Sequence, residues 1–302
     1  MWFKNLYLFK LSEPFALTAP QLQQQLENIA FRPCAPHEEA NIGWTSPMPG
    51  ASNELTYAIN GFMMICAKKE ERVLPSQVVN EMLQEKIQEI ELREARKLAK
   101  KERTALKDEL IFDLLPKAFT FSRKYYAYID TQNGWIVVDC SSAKVAEDLL
   151  SLLRKCLGSL PAVPINTVNK PTQVMTDWLN QQTLPDDIQL EDECELRSVE
   201  ENAASVRCKR HELIVPEIKN HLDSGKVVIK LALNWADRLS FVLDEQLAVK
   251  RLRYLELIQE QSDDINAETE AEQFDADFAI MTAEFSVFIA RLTELFGGLQ
   301  AV

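Results

Sequence analysis

Seven basic residues crowd into one short stretch: Arg93, Arg96, Lys97, Lys100, Lys101, Arg103 and Lys107. Only Glu94 and Glu102 oppose them there, so the local net charge is +5. At 100° per residue, six of the seven project from about a third of a helix, with Lys101 at the margin. Leu92, Ala95, Ala99, Leu106 and Leu110 fall on the opposite side. The spacing predicts an amphipathic helix with a continuous cationic stripe. On a chain of net charge −13, such a stripe suits a polyanion backbone, nucleic acid first among them. The alternative reading is a solvated face of a long helix.

Hydrolytic chemistry needs a different constellation. A nuclease clusters carboxylates around Mg²⁺, often with a lysine nearby. Asp130 and Asp139 flank a turn signal, and Glu217-Ile218-Lys219 has an E-x-K spacing. Glu217 and Lys219, however, fall in a helix opened by Pro216 rather than on a strand beside an aspartate. Cys34, Cys66, Cys140, Cys156, Cys194 and Cys208 form no C-x-x-C pair, and His37, His211 and His221 complete no zinc-like spacing. Each cysteine reads as a small buried hydrophobe in a reducing compartment. Among eight glycines there is no G-x-G-x-x-G, no G-x-x-x-x-G-K-[ST] and no G-x-S-x-G. Common nucleotide cradles and the nucleophile elbow are thereby excluded. The sequence implies no cofactor and no metal.

Charge is unevenly spread. Residues 254–290 hold ten acids and no Lys or Arg; without them the rest carries −3. The acidity therefore reports one segment, expected as an outward solubilising face, and leaves an anion-binding surface possible elsewhere. The N-terminal run is broken by Lys4 and Lys10, and no run approaches a membrane span. A cytoplasmic protein is expected.

The elements that must position these groups follow from periodicity. A strand is expected within 2–11, a helix from Thr18 to about Ile29, a loop over 35–54 and a short strand at Phe62–Ala67. One helix is expected from about Ser76 to Leu110. Strands follow at Phe119–Ile129 and Trp135–Asp139, then helices at Ala143–Leu157 and Thr172–Gln181. Strand-like segments lie near Glu195–Ser198 and Ser205–Lys209, with a short helix at Pro216–Asp223. Lys226–Trp235 is a strand with Val227, Ile229, Leu231 and Leu233 on one face. Leu239–Leu243 and Gln246–Leu252 extend that sheet, and a last helix spans about Gln273–Leu295. Without a regular βαβ rhythm, the class is α+β with mixed or antiparallel sheets and a long projecting helix. The expected organisation is a central α+β unit (1–74 with 111–165), a helical arm (75–110), a tip region (166–225), and a sheet with an acidic helical end (226–302).

Several strings then read as a set: Trp2-Phe3-Lys4-Asn5-Leu6, Ala30-Phe31-Arg32-Pro33-Cys34, Lys69-Glu70-Glu71-Arg72-Val73-Leu74-Pro75, Leu115-Pro116-Lys117-Ala118-Phe119, Val138-Asp139-Cys140, Leu157-Gly158-Ser159-Leu160-Pro161 and Phe274-Asp275-Ala276-Asp277-Phe278. In this order and over nearly the whole length, the chain resembles the bacterial RdgC family of recombination-associated proteins. The resemblance implies a cytosolic, nucleoid-associated homodimer whose two curved subunits enclose a ring with a positive hole. It implies sequence-neutral binding of single- and double-stranded DNA, restraint of the RecA recombinase, and no enzymatic activity. It implies one subunit contact at Phe119, and a second at a hairpin tip where a Lys-Gln pair is matched here by Lys209-Arg210-His211, the glutamine being replaced. Lys117, Arg123, Lys226 and Lys230 join the arm residues as expected channel cations. The rival readings are a metal-dependent nuclease and a helical partner-binding protein without DNA affinity. The stripe speaks against a coiled-coil arm, because its apolar face thins after Ile90. Trp135, Trp235, Tyr125, Tyr126 and Tyr128 are expected as packing residues.

Overall fold

The computed structural model describes residues 1–50, 52–181, 184–200, 204–263, 265 and 267–300. A first sheet holds β1 (Tyr7–Leu11), β2 (Ala40–Thr45), β3 (Thr56–Ile59), β4 (Phe62–Val73), β5 (Phe119–Asp130), β6 (Trp135–Asp139) and β7 (Ala162–Pro164). Its order is β2-β4-β5-β6-β1-β7, with β3 beside β2 along the same edge of β4. A second sheet holds β8 (Ile188–Ser198), β9 (Ser205–Lys209), β10 (Lys226–Trp235), β11 (Leu239–Asp244) and β12 (Val249–Tyr254), in the order β12-β11-β10-β8-β9. Neighbouring strands run antiparallel throughout both sheets. The class is α+β, as expected.

One face of the first sheet, carrying Ile65, Ala67, Ala127 and Ile129, packs under α1 (Ala19–Glu27) and α4 (Ala143–Leu157). α1 starts where Gln21 Oε1 accepts the Thr18 N–H at 2.9 Å, which satisfies one orphan donor of the first turn. α4 buries Ala146, Leu149, Leu150 and Leu153 at helical spacing and stops at Gly158, whose φ of 74° a side chain would disfavour.

The other face, with Phe62, Met64 and Tyr128, meets the second sheet through α8 (Glu270–Leu295). Phe278 and Phe285 of α8 approach Tyr128, while Phe288 approaches Trp235 and Phe241. Burying each such aromatic stabilises the fold by roughly 2–3 kcal/mol. α5 (Pro171–Gln181) and α6 (Pro216–Asp223) add Met175, Trp178, Ile218 and Leu222 to the same core. Leu6 and Val249 exchange backbone hydrogen bonds of 2.7 and 3.0 Å, linking the start of the first sheet to the edge of the second.

α8 corrects the expectation that residues 254–290 form an outward face. Glu284 is 7% exposed and takes a bidentate pair from Arg238 at 2.7 and 2.5 Å. Asp277 is buried against Ser262 and Gln273. In α7 (Glu256–Asp263) and at the start of α8, Glu256, Glu260 and Glu270 do face solvent; Asp264 lies outside the described residues. Spacing concealed this role because two acids occupy otherwise apolar core positions.

Other expectations also shift. The 35–54 segment contains β2. β4 runs six residues beyond Ala67 because it is held by pairing with β5 rather than by burial. In β10 a bulge between Val228 and Lys230 breaks the alternation, so Val228 shares the core with Leu231 and Leu233.

The helix expected over 76–110 is two helices, α2 (Ser76–Glu94) and α3 (Lys100–Leu114). Ala95 ends α2 in the left-handed region, at φ 50° and ψ 33°. Arg72 lies just before α2 and donates to Leu115 O, just after α3, at 2.9 Å. The two helices therefore form a hairpin that leaves and returns at the same end of β4 and β5. A non-glycine residue at that φ costs about 1–2 kcal/mol. Ala95→Gly should accordingly raise stability by about 1 kcal/mol in urea denaturation, and a loss of stability would show that Ala95 is not held in that conformation.

Candidate nucleic-acid interface

β4 and β5 pair without a slip over twelve positions, from Phe62↔Asp130 to Val73↔Phe119. The inner halves lie in the core. The outer halves run from Lys68 and from Lys124 to the helical hairpin; that of β5 is exposed, whereas that of β4 is half-buried, with Glu70 buried. This ribbon sets Lys68 opposite Lys124 and Lys69 opposite Arg123. Like charges directly opposed destabilise a ladder. Lys69 is offset by Glu71 at 2.5 Å, and Lys68 sits over the Phe31 ring at 4.3 Å. Arg123 lies over Phe121 at 5.0 Å. No carboxylate pairs with Lys124 or with exposed Lys117 among the described residues.

At the far end of the hairpin the seven cations divide into two kinds. The arginines are tied to acids. Arg96 holds Glu102 through two bonds of 2.7 and 2.9 Å and also meets Glu94 at 2.8 Å. Arg103 donates to Glu91 at 3.0 Å, and Glu91 also accepts the Leu98 N–H. Arg93 stands 3.9 Å from Glu94. These bonds close the turn between the helices, with Leu98 buried beneath. Lys97, Lys100, Lys101 and Lys107 have no carboxylate within ion-pair distance among the described residues, and the first three are exposed. The stripe is thus not one helix face. It is a cluster of lysines around a turn and the first helical turns beyond it.

Most of the second sheet's cations meet carboxylates, although Lys226 and Arg253 meet none among the described residues. Lys230 and Arg207 share Glu195 at 2.8 and 3.0 Å. Arg251 and Lys209 meet Glu193 at 2.8 and 3.7 Å. Lys226 donates to Ser224 Oγ at 3.1 Å. Lys209, Arg210 and His211 stand at the end of β9 remote from the β8–β9 turn, so they are not its tip. His211 N–H donates to Asp192 O at 3.1 Å, and Arg210 and His211 line an open cleft of about 630 Å³ with Arg253.

Phe119 is 86% exposed, beside Val73 and Phe121, each 48% exposed. Phe112 of α3, also exposed, stacks on His37 at 3.9 Å, and Phe119, Phe121 and Val73 share one face of the ribbon. A contiguous apolar patch of this kind marks an interaction surface.

The carboxylates of the nuclease reading do not converge. Asp130 opposes Trp135 and Asp139 opposes Tyr126, at opposite ends of the β5–β6 pair. Asp130 accepts from the Gln132 and Asn133 N–H groups and shapes the turn. Asp139 accepts from Lys4 and Asn5 N–H groups, and burial pushes its carboxyl above the usual range. Among the described residues no three His, Cys, Asp or Glu side chains are grouped to hold a metal ion. Tyr128, Trp135 and Trp235 are core, and Tyr125 and Tyr126 are half-buried beside it, as packing residues should be. No helix among the described residues is long and apolar enough to cross a membrane.

Sequence reasoning missed Lys68, Lys69 and Lys124. The signal was present as Lys68-Lys69 and Arg123-Lys124, one basic pair on each side of the helical hairpin. Recognising it required the strand register.

A family profile described as "Putative exonuclease, RdgC" matches residues 1–299. Similar chains carry the name Recombination-associated protein RdgC. That of Aeromonas hydrophila is 48% identical over 298 residues, 99% of this chain and 98% of its own. That of Tolumonas auensis is 46% identical over 301 residues, the full length of both. That of Yersinia pestis is 44% identical over 298 residues, 99% and 98% of the two chains.

Glu102 gives the arm a measurable handle. The Arg96 guanidinium, and then the Ala99 N–H at the start of α3, lower its carboxyl to about 2. A depressed carboxylate favours the folded turn above the ordinary carboxylate range, and that contribution fades as pH falls through about 2. An NMR titration of Glu102 should show a midpoint near 2 that rises in Arg96→Ala. An ordinary midpoint in the native chain would mean the turn is not closed this way.

Proposed function

The chain belongs to the RdgC family of recombination-associated proteins, and from that premise we propose that it binds single- and double-stranded DNA through the phosphate backbone, without sequence preference. The observation that carries this reading is the set of uncompensated cations at the helical hairpin: Lys97, Lys100 and Lys101 at its turn, Lys107 further along α3, and Lys117, Arg123 and Lys124 near its base. Phosphate contacts need exposed, mobile cations and no base-reading groove helix. Lys230, paired with Glu195, contributes less. Two copies joined through the Phe119 patch, and through a second contact near Lys209-Arg210-His211, form a ring around the duplex. Bound in the nucleoid, this ring restrains RecA-mediated recombination and acts at replication forks by occupying DNA, with no nucleotide, metal or catalytic step of its own.

Affinity should fall with salt at a log–log slope of about −0.9 per duplex phosphate neutralised. Converting Lys97, Lys100 and Lys101 to Glu should weaken binding at least about tenfold on every sequence tested and flatten that slope. Unchanged affinity would remove the hairpin turn from the interface. The family profile's own description favours a second reading, an exonuclease. Mg²⁺-dependent shortening of end-labelled DNA by purified protein, abolished by Asp130→Asn or Asp139→Asn, would establish it in place of the binding-only reading.

Phe119→Ala should open the dimer, shifting sedimentation towards monomer, because buried interfacial aromatics dominate contact energy at about 2 kcal/mol or more. Its thermal stability as a subunit should hardly change, since the side chain is exposed in the monomer. A variant that stays dimeric but melts earlier would assign Phe119 to the subunit's own packing.

A further inference from the structure

Four of the six cysteines belong to the first sheet and its covering elements. Cys194 and Cys208 alone are on the second sheet. The β8–β9 register makes them direct cross-strand partners, between Glu193↔Lys209 and Glu195↔Arg207. Directly opposed residues project from the same face of the sheet, here towards the main core. Cys194 is fully buried, and Cys208 is half-buried and packed against the same cluster. The two thiols are close enough that Cys208 adds to burial in pushing the Cys194 thiol up to about 12. Opposed Cα atoms lie about 4.5–5.5 Å apart in an antiparallel pair, inside the disulfide window of about 4.4–6.8 Å. β9 is a five-residue edge strand whose only strand neighbour among the described residues is β8, so it has freedom to adjust.

We propose that Cys194 and Cys208 form a dithiol modification site, oxidised by low-molecular-weight disulfides to an intramolecular cross-strand disulfide that staples β9 to β8. Cys208, the more accessible thiol, reacts first. It gives its proton to solvent, and its thiolate attacks one sulfur of the oxidant. The oxidant's S–S bond breaks, and one thiolate leaves and is protonated. Cys194 then loses its proton and attacks Cys208 Sγ, expelling the second thiolate. Two protein thiols become one disulfide, and one oxidant disulfide becomes two thiols. Burial of Cys194 makes its deprotonation the slow part of the second exchange. Lys209, Arg210 and His211 follow Cys208 directly, so the staple also fixes the segment that lines the cleft beside Arg253.

The test treats the full chain with glutathione disulfide near pH 8 and compares it with chain held under dithiothreitol. The intact mass should fall by about 2 Da as two hydrogens are lost, peptide mapping should join Cys194 to Cys208, and β9 amides should exchange at least about tenfold more slowly. Cys194→Ala should halt at a glutathione adduct on Cys208, and Cys208→Ser should not react at either position. A persistent adduct on Cys208 in the native chain, a bond to any other cysteine, or no oxidation at all would each overturn the proposal. These outcomes are read on the native chain and stand whether or not either variant folds.

Discussion

The unbroken twelve-position pairing of β4 with β5 is the constraint on which the rest of the molecule depends. Its inner half is a wall shared by both cores: Met64 and Tyr128 face one cluster, Ile65, Ala127 and Ile129 the other. Its outer half belongs to neither core and is held by backbone hydrogen bonds. A slip of one residue would exchange the two faces. It would bury Lys68 and Lys124 and drive Tyr128 into the α1–α4 layer. Because the core penalises that slip so heavily, the register of the exposed half is set at a distance. With it are set the cross-strand cations, the exposed Phe119 patch and the root of the helical hairpin.

α8 supplies the second constraint. Its aromatic residues meet both sheets, and charge fixes it to the turns of the second sheet: Glu284 near its middle to Arg238, and Arg291 near its C-terminal end to Asp187 with two bonds of 2.8 Å. Asp187 also accepts the Trp235 indole N–H at 3.1 Å. Removing one partner of such a pair leaves a charge poorly solvated, which is why these acids remain in a helix that is otherwise core. The chain's net charge is consequently a poor guide to its surface, since several of its acids are internal struts or neutralise basic residues of the second sheet.

The same logic separates arginine from lysine in the hairpin. Arg93, Arg96 and Arg103 meet carboxylates, and Arg96 uses the planar fork that suits bidentate pairing. The lysines beside them lack such partners among the described residues. An ammonium on a flexible stem suits a shifting phosphate backbone, while the guanidinium suits a fixed internal bond. One basic run therefore does two jobs: its arginines build the turn and its lysines present charge.

Much of this protein is legible in its sequence. The α+β class, the helices at Ala19–Glu27, Ala143–Leu157 and Pro216–Asp223, the strand Lys226–Trp235 and the run of cations at 93–107 follow from local spacing, capping residues and composition, which act over a few residues. The family resemblance was equally plain, because it rests on strings of adjacent residues. What local pattern did not decide was where the chain turns back and which groups end up opposed. Ala95 has no glycine or proline to announce a break. It is forced into a left-handed conformation because α3 must return to Arg72, a requirement set by the distant β4–β5 pairing. Glu284 and Asp277 read as solvent-facing until Arg238 and Ser262 were brought to them across the core. Lys68 and Lys124, or Cys194 and Cys208, are ordinary residues apart and acquire chemical meaning only as neighbours. Composition and periodicity determine which elements form, because those preferences are local. Pairing across strands separated by dozens of residues decides the site, because it is fixed by burial of the whole core at once.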